Sequence, residues 1–208
     1  MSQDLNLSTS SHALDEETAR AEIYGLLSQL YYAAPSDELL GQLQVAVTEA
    51  PDAGGFLEEP WRELVASARS LSQAQIASEY NSLFGGVGKP EVYLFGSHYL
   101  SGFLNEKPLV RLRDDLAELG LGRSEGMSET EDHVAYVFEV MRFLIAGDDV
   151  AVSNLTRQQA FFTQHVQSWL PALCQVLQSQ PRAVFYARVA AFTEAFVSVE
   201  SQGFDLVV

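Results

Sequence analysis

The residues best equipped for chemistry stand together in Ser128-Glu129-Thr130-Glu131-Asp132-His133-Val134, where three carboxylates lead into an imidazole. Groups of these types shuttle protons, ligate metals or grip cations. What positions them is read as a helix start. Ser128 followed three residues later by Glu131 has capping-box spacing, which predicts a helix opening at Ser128 with Asp132 and His133 in its first turn and a half. There the unpaired N–H groups and the positive dipole end favour a carboxylate and disfavour an imidazolium. A neutral His133 beside an ionised Asp132 is expected. Successive helix positions diverge by about 100°, so the two would not face each other as a base and its orienter must. Behind them Val134, Val137, Phe138, Met141 and Ile145 fall on one face and anchor the helix.

Other signatures of catalysis are absent. No Gly-x-Ser-x-Gly elbow occurs. Gly85-Gly86-Val87-Gly88-Lys89-Pro90 resembles a phosphate loop, but Leu83 stands where its first glycine belongs and Pro90 where a Ser or Thr must reach magnesium. His12, His98, His133 and His165 never fall four apart as a helical metal pair would, and the single Cys174 excludes a disulfide and a Cys-based zinc cluster. No catalytic residue, metal or resident cofactor is therefore expected. The rival reading is a small helical hydrolase built on Asp132 and His133, with Ser97 or His98 as a third polar group; another is a structural adaptor.

The 208 residues suffice for one domain with a substantial core. With 28 acidic and 12 basic residues the formal charge is −16, which argues against nucleic acid, since phosphate contact needs clustered Lys and Arg. Met1 to His12 lacks the basic and apolar regions of a secretory signal, and no apolar run is long enough to span a membrane, so a cytoplasmic protein without stable membrane insertion is expected.

Apolar residues recur at helical spacing almost throughout. Helices are predicted over Leu14–Ala33, Asp37–Thr48, Leu57–Leu71 and Ala74–Phe84, with Ser36 and Ser72 as caps and a loop at Pro51–Gly55. Residues 85–96 form the longest irregular connection. Shorter helices follow at Ser97–Leu104 and Leu109–Leu119, and Gly120, Gly122 and Gly126 make a hinge-like link to Ser128. Beyond the 128–146 helix, a long element carries Leu155, Phe161, Phe162, Val166 and Trp169, continues past Pro171 to Leu177, and is followed by a helix from Arg182 to about Glu200. The reading is all-α, a single-domain multi-helix bundle. Tyr80, Leu83 and Phe84 read either as core or as ligand contacts. Tyr93, Leu94, Phe95 and Tyr99 are too apolar for a solvated loop and either plug the bundle or line a groove.

Four blocks together resemble the TorD/DmsD/NarJ-type redox-enzyme maturation chaperones. Glu79-Tyr80-Asn81-Ser82-Leu83-Phe84-Gly85-Gly86 is similar to the family's aromatic-x-x-Leu-Phe-x-Gly block. Leu94-Phe95-Gly96-Ser97-His98-Tyr99 is similar to its Pro-aromatic-x-Ser-x-Tyr block, and Glu129-Thr130-Glu131-Asp132-His133 to its Glu-Pro-x-Asp-His signature. His165 to Trp169, Pro171 and Phe185-Tyr186 through Glu200 resemble its C-terminal helices. Leu94 and Thr130 stand where the family carries proline. The chain is read as a flexible, polar tail at 1–12 and, by this resemblance, a TorD-like helical domain over 13–208 with a hinge at 120–127. The resemblance also implies a cytoplasmic chaperone, monomeric or a domain-swapped dimer, whose partners are a twin-arginine signal peptide and an apo-molybdoenzyme catalytic subunit. The residues carried over to peptide and client binding are Tyr80, Leu83, Phe84, Leu94, Phe95, Tyr99, Glu131, Asp132 and His133, with Glu131 and Asp132 meeting the arginines.

Overall fold

Apolar residues spaced three and four apart become helices in nearly every stretch where the sequence predicts them. The computed structural model describes residues 5–48, 55–85, 89–104, 106–124 and 126–206, with side chains from residue 16 onward. The elements are α1 (Leu5–Tyr32), α2 (Asp37–Val45), α3 (Glu58–Ser70), α4 (Gln73–Phe84), α5 (Gly96–Ser101) and α6 (Lys107–Glu118). They continue as α7 (Val134–Ala146), α8 (Leu155–Phe162), a π-helical turn (Thr163–Gln167), α9 (Leu170–Ser179) and α10 (Phe185–Asp205). No strand occurs among the described residues; one isolated antiparallel bridge joins Phe95 and His133. Most of the expected loop at Pro51–Gly55, and the glycines at 86 and 88, lie outside the described residues.

Caps behave as read at two positions. The Ser36 hydroxyl accepts from Leu39 N–H, and Ser72 with Gln75 forms a complete capping box. Elsewhere the structure corrects the sequence. α1 begins at Leu5, so residues 5–12, expected as tail, have helical backbone; none of residues 5–13 is the Gly or Pro that interrupts a helix. Residues 1–4 lie outside the described residues. α7 starts at Val134, not Ser128, with His133 as its N-cap. The physical reason is tertiary: Asp132 and Val134 are held in backbone pairing with Gly96 and Leu94, and Arg113 takes the Glu131 carboxylate that a capping box would have used.

α7 is the central helix. It packs along α1 and against α8, burying Val134, Ala135, Val137, Phe138, Met141, Leu144 and Ile145. Tyr24 of α1 meets Phe138 at 5.6 Å and Phe196 of α10 at 4.8 Å between ring centroids. Each such fully buried side chain contributes roughly 1.5–3 kcal/mol before entropy is counted. A polar group is buried with them: Arg20 donates to both Glu200 carboxylate oxygens at 2.6 and 2.9 Å, and Tyr24 Oη donates to Oε2 at 3.0 Å. This ties the first helix to the last.

At the far end of α6, Gly120 adopts φ +72. Its N–H bonds Ala117 O at 3.0 Å while Leu121 N–H reaches back to Leu116 O at 2.8 Å, the paired closure for which a left-handed glycine is favoured. Pro171 sits in the first turn of α9, where its missing N–H costs nothing.

Candidate functional site

Two segments meet backbone to backbone to build the site. Gly96 N–H donates to Asp132 O and Val134 N–H to Leu94 O, both at 2.9 Å. Residues 130–133 thus form a strap across the start of α5. Asp132 is 4% exposed. Its Oδ2 accepts Ser97 N–H at 2.9 Å in the first turn of α5, and its Oδ1 accepts the Thr130 hydroxyl at 2.6 Å. Thr130, which stands where the related signature has proline, therefore supplies a donor in place of a rigid turn. Glu131 makes a forked pair with Arg113 of α6 at 2.8 and 3.0 Å. Burial works against its ionisation, but the Arg113 hydrogen bonds prevail and hold Glu131 below the usual carboxylate range.

His133 closes the corner. Its Nδ1 accepts Ala135 N–H at 3.3 Å, capping α7 and leaving the ring proton on Nε2. The edge of the Phe95 ring meets it at 5.1 Å, and Tyr136 lies at 5.7 Å. Burial pushes the imidazole down to about 4, partly opposed by the Asp132 charge, so His133 is neutral at pH 7. This agrees with the neutral state expected from the sequence, with burial as the largest cause.

Beside the strap lies a cavity of about 290 Å³. Its aromatic walls are Tyr32, Tyr80, Phe84, Tyr93 and Phe95, completed by Pro90, Val92, Leu94, Ser128, Glu129 and His133. Tyr80 is held by its hydroxyl, which donates to Tyr31 O and Tyr32 O at the end of α1 at 3.1 and 2.8 Å. Burial first, then the charge of Glu129, pushes this phenol up to about 12. Phe84 packs edge-on against Tyr80 and Tyr186 at 4.9 and 5.1 Å. Glu79, one residue before Tyr80, fixes the register of α4 on α10: its carboxylate accepts Val184, Phe185 and Tyr186 N–H at 2.9, 3.1 and 2.8 Å. That satisfies the orphan donors of the last helix.

Five of the nine residues picked from the sequence line this cavity: Tyr80, Phe84, Leu94, Phe95 and His133. The other four do not. Leu83 is fully buried in the core. Tyr99 stacks on Trp169 at 5.8 Å, and its hydroxyl donates to Tyr93 O. Glu131 and Asp132, expected to face a ligand, are engaged by Arg113, Ser97 and Thr130. Tyr93, read from the sequence as plugging the bundle or lining a groove, is also a wall residue, whereas Tyr32 and Glu129 were missed. Glu129 stood inside a block already singled out; Tyr32, a whole helix away, carried no local signal beyond being an aromatic at the end of α1. Asp132 and His133 make no acid–base pair, since each is bonded elsewhere. A wider groove of about 940 Å³ runs between Leu100, Pro108 and Arg111 on one side and Gln159, Thr163 and His165 on the other. It contains no carboxylate, and its His165 is already bonded to Asp115 at 2.6 Å.

The described residues form an all-helical bundle with an aromatic, carboxylate-bearing cleft. The family described as nitrate reductase delta subunit matches residues 51–175, and the chain belongs to it. The chain is similar to "Chaperone protein TorD" of Aliivibrio fischeri, 26% identical over 87% of this chain and 92% of that one. A protein of the same name from Vibrio cholerae is 25% identical over 89% and 92%. The protein is thus a maturation chaperone of the TorD/NarJ type, not an enzyme.

Proposed function

We propose that this protein holds the apo form of a molybdoenzyme catalytic subunit through its twin-arginine signal peptide, in the cytoplasm, until the molybdenum cofactor has been inserted and export can proceed. The observation that carries this reading is the aromatic cavity at the junction of the strap and α4, in a chain whose relatives are chaperones. A signal peptide has a basic head and an apolar middle. The cavity offers Tyr80, Phe84, Leu94, Phe95 and His133 to such a segment, and the formal charge of −16 steers its basic end toward the protein. Leu83 and Tyr99 support these walls from behind, while Glu131 and Asp132 hold the strap in place. No helix among the described residues is long and apolar enough to cross a membrane, which suits a partner met before export.

Calorimetric titration with synthetic leader peptides of trimethylamine-oxide, dimethyl-sulfoxide and nitrate reductases and of formate dehydrogenase tests the proposal. At least one leader should bind the full-length protein, and Phe95→Ala should weaken that leader at least tenfold while the fold is kept. If none binds, the signal-peptide reading fails. The link at 120–127 is where a domain-swapped dimer would exchange, and light scattering at several concentrations reads the monomer–dimer balance.

A further inference from the structure

The three carboxylates of the strap region are not equivalent, and the difference assigns one of them. Glu131 has both oxygens on Arg113, and Asp132 has one oxygen on Ser97 N–H and the other on the Thr130 hydroxyl. Glu129 is half-buried, lines the aromatic cavity and has no cationic partner among the described residues. A carboxylate so placed is costly to desolvate and has no protein charge to offset that cost. The other polar groups of the cavity do not serve it as counter-ions. The Tyr80 hydroxyl is spent on α1 carbonyls, and the Tyr136 ring packs against Tyr32 at 5.9 Å.

What fits beside such a carboxylate is a flat cation. Aromatic faces attract a cation through their quadrupole, most of all one that can stack. A guanidinium does this and also forks onto a carboxylate, whereas an ammonium is a compact, strongly hydrated point charge. Five aromatic rings around one carboxylate therefore select arginine over lysine. Charge sets the number: the cavity, about 290 Å³, is lined by one carboxylate among the described residues and so offers a counter-charge to one guanidinium.

We infer that Glu129 is the counter-ion for a single arginine of the bound signal peptide, whose guanidinium enters the cavity between Tyr32, Tyr80, Tyr93 and Phe95, and that Glu131 and Asp132 are positioning residues that never touch it. This rests on the signal-peptide reading above. The second arginine stays outside and is read by the general negative field.

The test is a cycle between protein and peptide, using the leader that binds best in the titrations above. Glu129→Gln should lower affinity about tenfold, the size of one charge-assisted pair. Its urea midpoint should stay at the wild-type value, because Glu129 has no protein partner to lose. Against a leader with glutamine at the caged arginine, Glu129→Gln should cost nothing further; against a leader with glutamine at the other arginine, the tenfold penalty should remain. Lysine at the caged position should be weaker than arginine. Equal affinity of Glu129→Gln and wild type for the unmodified leader overturns the assignment, as does a penalty that is the same for all peptides. Both outcomes leave intact the wild-type binding that tests the broader reading.

Discussion

Two regions of the molecule combine a glutamate with tyrosine and phenylalanine rings, and they are finished differently. At the α1–α10 contact, Glu200 is 5% exposed and accepts from both nitrogens of the Arg20 fork and from Tyr24, while Arg20 also reaches Gln158 at 3.3 Å and lies over the Phe204 ring. Beside the strap, Glu129 lines a cavity with five aromatic rings and no cationic side chain among the described residues. The first region is closed by its own chain. The second is left open, and a carboxylate without an internal partner is what a binding site for a cationic segment requires. Rings and charge by themselves do not separate structure from recognition; the count of satisfied oxygens does.

Substitutions that strip one region should therefore damage stability, and those in the other should damage binding. The largest effect is expected from Glu200→Ala, which leaves the Arg20 guanidinium mostly buried without a counter-charge and should cost about 3–5 kcal/mol. Urea unfolding measures it, and a loss under 1 kcal/mol would break the comparison. Next comes pH. His133 falls from its ordinary 6.5 to about 4 on folding, so the unfolded chain binds the proton more tightly and stability is lost as pH falls from 6.5 toward 4. The loss reaches roughly 3 kcal/mol at the bottom of that window. His165 is lowered in the same direction by burial, so the diagnostic is the difference: His133→Asn, which keeps a good cap, should show a shallower acid slope than wild type.

Asp132→Ala should cost about 1–3 kcal/mol by removing the carboxylate that accepts from Ser97 N–H and from the Thr130 hydroxyl. Because it loosens the strap, it should weaken leader binding as well, and that double effect distinguishes it from Glu200→Ala. Gly96→Ala tests the same junction from the other side: a Cβ there would stand 3.0 Å from Trp169 Cε2 and 3.1 Å from its Nε1. With Trp169 fixed by its bond to His165 O at 2.6 Å, overpacking should cost about 1–3 kcal/mol. The smallest stability effect belongs to Glu129→Gln, expected within about 0.5 kcal/mol of wild type. Thermal melts rank all of these.

Much was legible because it depends on local pattern. Helical periodicity gave the bundle, Ser36 and Ser72 capped as their spacing said, and Pro171 took its first-turn place. The aromatic block at 93–99 was found because apolar residues in an irregular segment must pack on something. Where local and tertiary demands competed, tertiary pairing won. Ser128 and Glu131 satisfy the capping-box pattern, yet Arg113, distant in sequence, offers Glu131 a forked charged partner, and the 94–96 backbone claims residues 132–134. No rule of spacing contains that contest.

The sequence by itself determined the helices, the core faces and the set of short blocks that carry the family likeness, because these follow from residue type and period along one chain. Only the tertiary structure decided which acid is free. Whether a carboxylate is a cap, half of an ion pair or an open ligand depends on what the rest of the fold brings within about 3 Å of it, and for Glu129, Glu131 and Asp132, neighbours in sequence, the fold brings three different answers.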